Sequence, residues 1–316
     1  MSIFNTGKPA FTVKDLGNID FDELMDCFLL AFENYFVRMP TDRNYYRERW
    51  RIAKVDFKLS YGMFDQEKLV GFIINAVDTR NSALTAYNTG TGVIPEYRGL
   101  KIVQAIYKYA LPDLKRNGIV NCSLEVITTN EIAIRSYQSI GFEIFKKYKC
   151  YNGTIALEKR DSVCLEEISY QEINWENLPG DDCYSWDNQK ETIREGNFRY
   201  FQVLNHNSPE SFFAINPDNG YLAQFDLLTE GDNAWERLFS GIRQISGTIK
   251  INNVDVRLTN KINFLDRIGL VNSVDQYEMR LKINGGSLTE NKGDEEHSLS
   301  RNASYEPRYI LNCSKH

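Results

Sequence analysis

Phe21, Leu24, Phe28, Ala31, Phe32 and Tyr35 recur at steps of three and four residues, which predicts a helix with one buried face. Asp20 and Glu23 are spaced as a capping box at its start. A short strand, FTVKDLG, precedes it, and a more polar helix is predicted over DRNYYRERWRIAKV. The period then changes. KLSYGMFDQEKLVGFIINAVD reads as two strands joined at the polar turn Asp65 to Lys68, and SALTAYNTGTGVIP as a third strand ended by Pro95. Helical spacing returns with Ile102, Val103, Ile106, Tyr107, Ala110, Leu111 and Leu114, and Pro112 is expected to kink or shorten that helix. IVNCSLEVIT predicts a strand and NEIAIRSYQSIG a short helix, with Asn130 as N-cap and Gly141 just past its end. FEIFKKYKCYNGTIALEK predicts two more strands. This alternation implies an α/β fold with a mixed sheet: parallel strands joined by crossover helices, together with antiparallel hairpins.

The pattern recurs weakly from about residue 163. GYLAQFDLL predicts a strand, NAWERLFSGIRQI a helix, TIKINNVDVRLTN one strand or two, KINFLDRIG a helix ending at Gly269, and DQYEMRLKI a strand. RSYQSIGFEIFKKYKCY aligns with INFLDRIGLVNSVDQYEM: helix, Ile-Gly, then a strand with a late Tyr. Two degenerate copies of one unit are therefore expected, at 1–160 and 163–283. The polar, Gly/Ser/Asn-rich stretch 284–316 reads as a disordered tail.

Composition narrows the functional classes. The 316 residues carry a net charge of −6, which argues against nucleic acid as a partner. Six cysteines form no CxxC pair and only three histidines are present, so no metal site is expected. Neither a signal peptide nor a membrane span is read in the apolar pattern, and scattered thiols suit a reducing cytosol; a cytoplasmic protein without membrane contact is expected.

The turn PEYRGLKIV deserves its own reading because it feeds a helix. A helix N-terminus offers free N–H groups and a positive dipole end to an anion. Arg98 would add a cationic fork, and Gly99 a close backbone approach. An ordinary helix start is the alternative. GVIPEYRGLKIV after a strand, followed by Leu124, Val126, Asn130, Ala133, Tyr137, Gly141 and Phe142 in LEVITTNEIAIRSYQSIGF, resembles the GNAT (Gcn5-related N-acetyltransferase) superfamily over roughly residues 10–160.

The resemblance implies an acyl-CoA N-acyltransferase fold with acetyl-CoA as acyl donor. Gly92, Val93 and Ile94 would then offer backbone hydrogen bonds to the pantetheine arm, in a gap between the strand ending there and the strand 120–127. Arg98, Gly99, Leu100, Lys101, Ile102 and Val103 would form the pyrophosphate loop, with Asn130 contacting the cofactor. One departure stands out: Lys101 and Val103 replace two residues that are usually small in this loop. Tyr137 occupies the family's general-acid position, its alternative being a core aromatic. The acceptor would be a primary amine of a small molecule or peptide. Tyr35 at the end of the first helix, with Asn34 and Phe36, and Tyr87 with Asn88 are candidates to line its site. Glu125 is the only acid of its strand and points away from Leu124 and Val126; it is a candidate acceptor-site residue or else a solvated surface group. In the second copy Leu265 stands where Tyr137 would, and Glu230 and Asp232 would repel a phosphate, so that copy is expected to have lost CoA binding. A non-catalytic acyl-CoA-binding or interaction protein is the alternative to an enzyme.

Overall fold

The computed structural model describes residues 11–33, 35–157, 163–178 and 180–283. The expected tail, Asn34 and Cys313 lie outside them. The first half runs β1 Phe11–Asp15, α1 Phe21–Ala31, α2 Arg43–Ala53, β2 Tyr61–Asp65, β3 Lys68–Arg80, β4 Ala83–Val93, α3 Ile102–Arg116, β5 Asn121–Ile127, α4 Glu131–Ile140 and β6 Glu143–Thr154. The second half runs β7 Cys164–Ile168, α5 Lys190–Ile193, β8 Arg199–Asn205, β9 Ser208–Asn216, β10 Tyr221–Leu227, α6 Ala234–Ile245, β11 Thr248–Asp255, α7 Thr259–Arg267 and β12 Val271–Lys282.

Local chemistry explains the element ends. The Asp20 carboxylate accepts from the Asp22 and Glu23 amides at the head of α1, and Asn130 accepts from the Ala133 amide at the head of α4. Gly141 ends α4 at φ +108°, a conformation other residues rarely adopt. Pro112 does not shorten α3, which continues to Arg116.

All twelve strands join one sheet in the order β1-β2-β3-β4-β5-β12-β6-β11-β10-β9-β8-β7. FEIFKKYKCYNGTIALEK makes one strand within the described residues rather than two. Gly153, at φ +145°, stays in β6 and pairs with Ile249 instead of turning the chain back. The neighbour that β5 requires comes from the far end of the chain: β12 lies antiparallel to β5, from Gln276 opposite Ile127 to Lys282 opposite Asn121. β6 in turn pairs with β11, and β6 and β12 pair with each other at the centre. Each half thus lends its last strand to the other, and the strand order has the same form read from either end. Exchange leaves no open strand edge in the middle of the sheet.

Separate apolar cores flank this seam. In the first half Phe28, Trp50, Phe72, Ile106, Leu124 and Phe142 are buried in one cluster. In the second, Phe213, Leu222, Phe239, Ile251 and Leu265 are buried in another.

Candidate active site

β4 and β5 are parallel neighbours only from Thr85 opposite Asn121 to Asn88 opposite Leu124. Beyond that point they part. A bulge marks the place: Asn88 faces Asn75 and Gly90 faces Ile74, so Thr89 is an extra residue on β4. Bulges twist and bend the strand that holds them. From there to Val93, β4 is paired on one edge with β3 and has its other edge on the gap.

A groove of about 840 Å³ extends from this gap. Its walls include Gly92 and Val93 of β4, Ala31 at the end of α1 and Tyr35 in the segment after it, the turn residues Arg98, Gly99 and Lys101, Ile102 and Val103 of α3, and Asn130 and Tyr137. Of the expected donor-binding residues, Ile94 and Leu100 do not line it: Ile94 is buried in the core and Leu100 points outward. Gly92 is a glycine for lack of space, since a Cβ there would stand 2.6 Å from Phe72 and 2.8 Å from Ala31.

The turn has left-handed backbone at two positions. Gly99 sits at φ +82° and Lys101 at φ +57°, ψ +30°. Lys101 therefore holds the left-handed conformation for which glycine is best suited, at a cost of about 1 kcal/mol. No side chain caps α3 and no acid occupies its first turn, so its leading N–H groups face the groove unopposed by negative charge. Arg98 does not present a free fork. Its Nη2 donates to the Ala31 carbonyl at 3.0 Å and its Nε to the Val93 carbonyl at 3.3 Å, tying α1 to β4 at the groove wall.

Tyr137 is buried at the groove, edge-on to Phe142 and Tyr107. Burial pushes its phenol up to about 12, with a hydrogen bond to Thr91 opposing the shift. It stays protonated at neutral pH, as a proton donor must. Asn130 serves both as the α4 cap and as a hydrogen-bond partner of Tyr35, whose phenol is raised by burial.

Tyr87 and Glu125 lie apart from the groove lining, on the sheet face covered by α2 and the segment before α5. Tyr87 is buried flat under Trp186, with centroids 5.2 Å apart and planes 9° apart. Trp186 is pinned by its indole N–H on the Ala53 carbonyl at 3.1 Å and by the Arg80 guanidinium stacked 4.2 Å above it. Glu125 is not the solvated surface group that strand alternation allows. It is half-buried and accepts a 2.7 Å hydrogen bond from Asn253 Nδ2 of β11, and Tyr87 hydrogen-bonds to it as well. Burial first, and the Asp187 charge second, raise its carboxyl to about 8. Sequence reasoning missed Asp187, Arg49 and Asn253, which are charged or polar residues with no motif of their own. Arg49 and Asp187 pair at 2.9 Å across the two halves.

Residues 21–142 match the family model described as the acetyltransferase (GNAT) family. The chain is 30% identical over 102 residues to N-alpha-acetyltransferase 30 of Schizosaccharomyces pombe, covering 31% of this chain and 68% of that protein. The chain belongs to the GNAT acetyltransferase family. Among solved structures, a GCN5-related N-acetyltransferase from Sphaerobacter thermophilus superposes with a TM-score of 0.63 at 11% identity, over 88% of this chain and 97% of that one. A tandem GNAT protein from the clavulanic acid biosynthesis pathway superposes with a TM-score of 0.60 at 12% identity, over 88% of this chain and all (100%) of that one. These two likenesses concern the fold, and they extend the GNAT architecture to both halves.

The second GNAT-like half has a groove of its own, about 670 Å³, at the corresponding place between β10, α6 and α7. Glu230 and Asp232 line it, as does Trp235. No helix among the described residues is long and apolar enough to cross a membrane, and no cluster of potential metal ligands occurs among them.

Proposed function

We propose that the protein is an acetyl-CoA-dependent N-acetyltransferase that acts in its first half on a primary amine of a small molecule or peptide. The observation that carries this reading is the gap between β4 and β5, opened at the Thr89 bulge and continuous with the groove that reaches the uncapped start of α3. The residues present fit the donor. The unpaired edge of β4 suits an extended arm, the space left by Gly92 keeps α1 close against that edge, and the α3 N-terminus with Lys101 suits a pyrophosphate. Bound acetyl-CoA supplies the acyl group and a thiol leaving group.

The chain supplies the proton transfers. Glu125, raised to about 8, is mostly protonated at pH 7, and its ionised fraction, which grows as pH rises through 8, would take a proton from the acceptor ammonium. Tyr87 and Asn253 hold its carboxylate in place. Tyr137, protonated and held by Thr91, would return a proton to the departing thiolate. Acetyl transfer to α-amino groups is supported by the name of the fission-yeast relative, and small amines by nothing more specific than the family. Glu230 and Asp232 outweigh Arg267 in the charge of the second half's groove lining, which supports a single donor site per chain.

The test is calorimetric titration of acetyl-CoA into the wild type and Arg98→Ala, followed by turnover with a free-amino tetrapeptide and spermidine as probe acceptors. Binding with a Kd on the order of micromolar is expected, weakened roughly tenfold in Arg98→Ala because the tie between α1 and β4 at the groove wall is lost. Absence of acetyl-CoA binding would end the enzyme reading. Binding without turnover on any amine would favour a non-catalytic acyl-CoA-binding protein.

A further inference from the structure

The polar cluster around Glu125 draws on both halves of the chain. Tyr87 and Glu125 come from β4 and β5 of the first half, and Arg49 from α2. Asp187 follows Trp186, whose ring lies on Tyr87, so the stacking delivers Asp187 to the same sheet face. Asp187 keeps 19% of its side chain exposed and Arg49 keeps 36%, so their ion pair is not sealed in the core. Asn253, from β11, completes the shell through Glu125.

We propose that Asp187 is a positioning residue for acetyl transfer, acting on Glu125 across the junction of the two halves with Arg49 as its counterweight. The second half is then a working part of the first half's site. This rests on Glu125 being the base. Asp187 and Arg49 face the same carboxylate with opposite charge. Asp187 favours the protonated form and Arg49 the ionised form. The pair sets a balance that neither charge alone would give. With the carboxyl raised to about 8 and mostly protonated at pH 7, Asp187 lowers and Arg49 raises the ionised fraction that can take the acceptor's proton.

Other charges and titratable groups face Glu125 and belong to the balance. Glu278 of β12 adds negative charge. Tyr148 and Cys150 of β6 and Tyr221 of β10 each feel the Glu125 charge, and burial raises all three, so they stay neutral near pH 7. Asp187 and Arg49 form the ion pair between the halves at this face, and Tyr148 of β6 donates to Glu278 of β12 beside it.

The experiment is a carbon-13 titration of the glutamate carboxyls in the full chain, with the Glu125 resonance assigned by its loss in Glu125→Gln. Asp187→Asn is expected to lower the Glu125 midpoint and Arg49→Gln to raise it, each by about one pH unit. Asp187→Glu should restore the wild-type midpoint. Damage to folding would shift both variants in one direction, so opposite shifts identify the electrostatic role even if one variant is poorly stable. Midpoints that stay put, or that move together, overturn the proposal. The base reading fails separately: if Glu125→Gln transfers acetyl to the probe amines at the wild-type rate, Glu125 is not the base, whatever the titrations give.

Discussion

Gly92→Ala adds one carbon at the tightest point of the groove wall. The new Cβ would stand 2.6 Å from Phe72 Cζ and 2.8 Å from the Ala31 Cβ, about an ångström inside ordinary contact. Neither neighbour has room to yield. Phe72 is fully buried and stacked on Phe28 with centroids 5.6 Å apart, and Ala31 is on the helix that Arg98 ties down. Overpacking of this kind costs about 1–3 kcal/mol. For a chain of this size that lowers Tm by roughly 2–12 °C. Gly90→Ala, two residues away on the same strand, is the control. Its Cβ meets Phe28 at 3.4 Å and Ile74 at 3.8 Å, and the change should stay within about 0.5 kcal/mol of wild type. Scanning calorimetry of the two variants, with acetyl-CoA titration beside it, reads both effects. Gly92→Ala should also weaken acetyl-CoA binding, because relief of the clash moves α1 away from β4 at the groove. Equal Tm values for Gly92→Ala and wild type, or an equal loss in Gly90→Ala, would refute the packing argument.

Three further outcomes are expected. Lys101→Gly removes the left-handed strain at φ +57° but makes the unfolded chain more flexible, so stability should change by no more than about 1 kcal/mol while acetyl-CoA binding is retained; a large loss of binding would show that the lysine charge, not the loop shape, holds the anion. Tyr137→Phe should lower kcat by about 100-fold or more while leaving acetyl-CoA affinity within a factor of a few, and an unchanged kcat would remove Tyr137 from proton donation. Glu125 has a folded-state value near 8, above its unfolded value, so its contribution is fully present below about pH 4.5 and is lost as pH rises through 8. Glu125→Gln should therefore gain in Tm relative to wild type between pH 5 and pH 9; a difference that does not change with pH would contradict the raised carboxyl.

The sequence by itself determined most of the elements and most of the residues that line the first-half groove. Helical spacing placed α1, α3 and α4, Asp20 and Asn130 their N-caps, and a nine-residue turn motif the loop that leads into α3, because each depends on contacts within a few residues. Most of the expected donor-binding residues meet in one groove for the same reason: the strand end, turn and helix start are consecutive in the chain. Only the tertiary structure decided the rest. FEIFKKYKCYNGTIALEK reads as two strands, yet β6 runs unbroken through Asn152 and Gly153 because its partners are β11 and β12 from the other half. Glu125 reads as a surface acid because strand alternation says which way it points and not what covers it. Its partner Asn253 lies 128 residues along the chain, and Asp187 carries no motif. Pairing between strands so far apart leaves no periodic trace in either segment. The exchange, and the carboxylate environment it builds, are therefore set by which strand edges remain to be satisfied once both halves have folded.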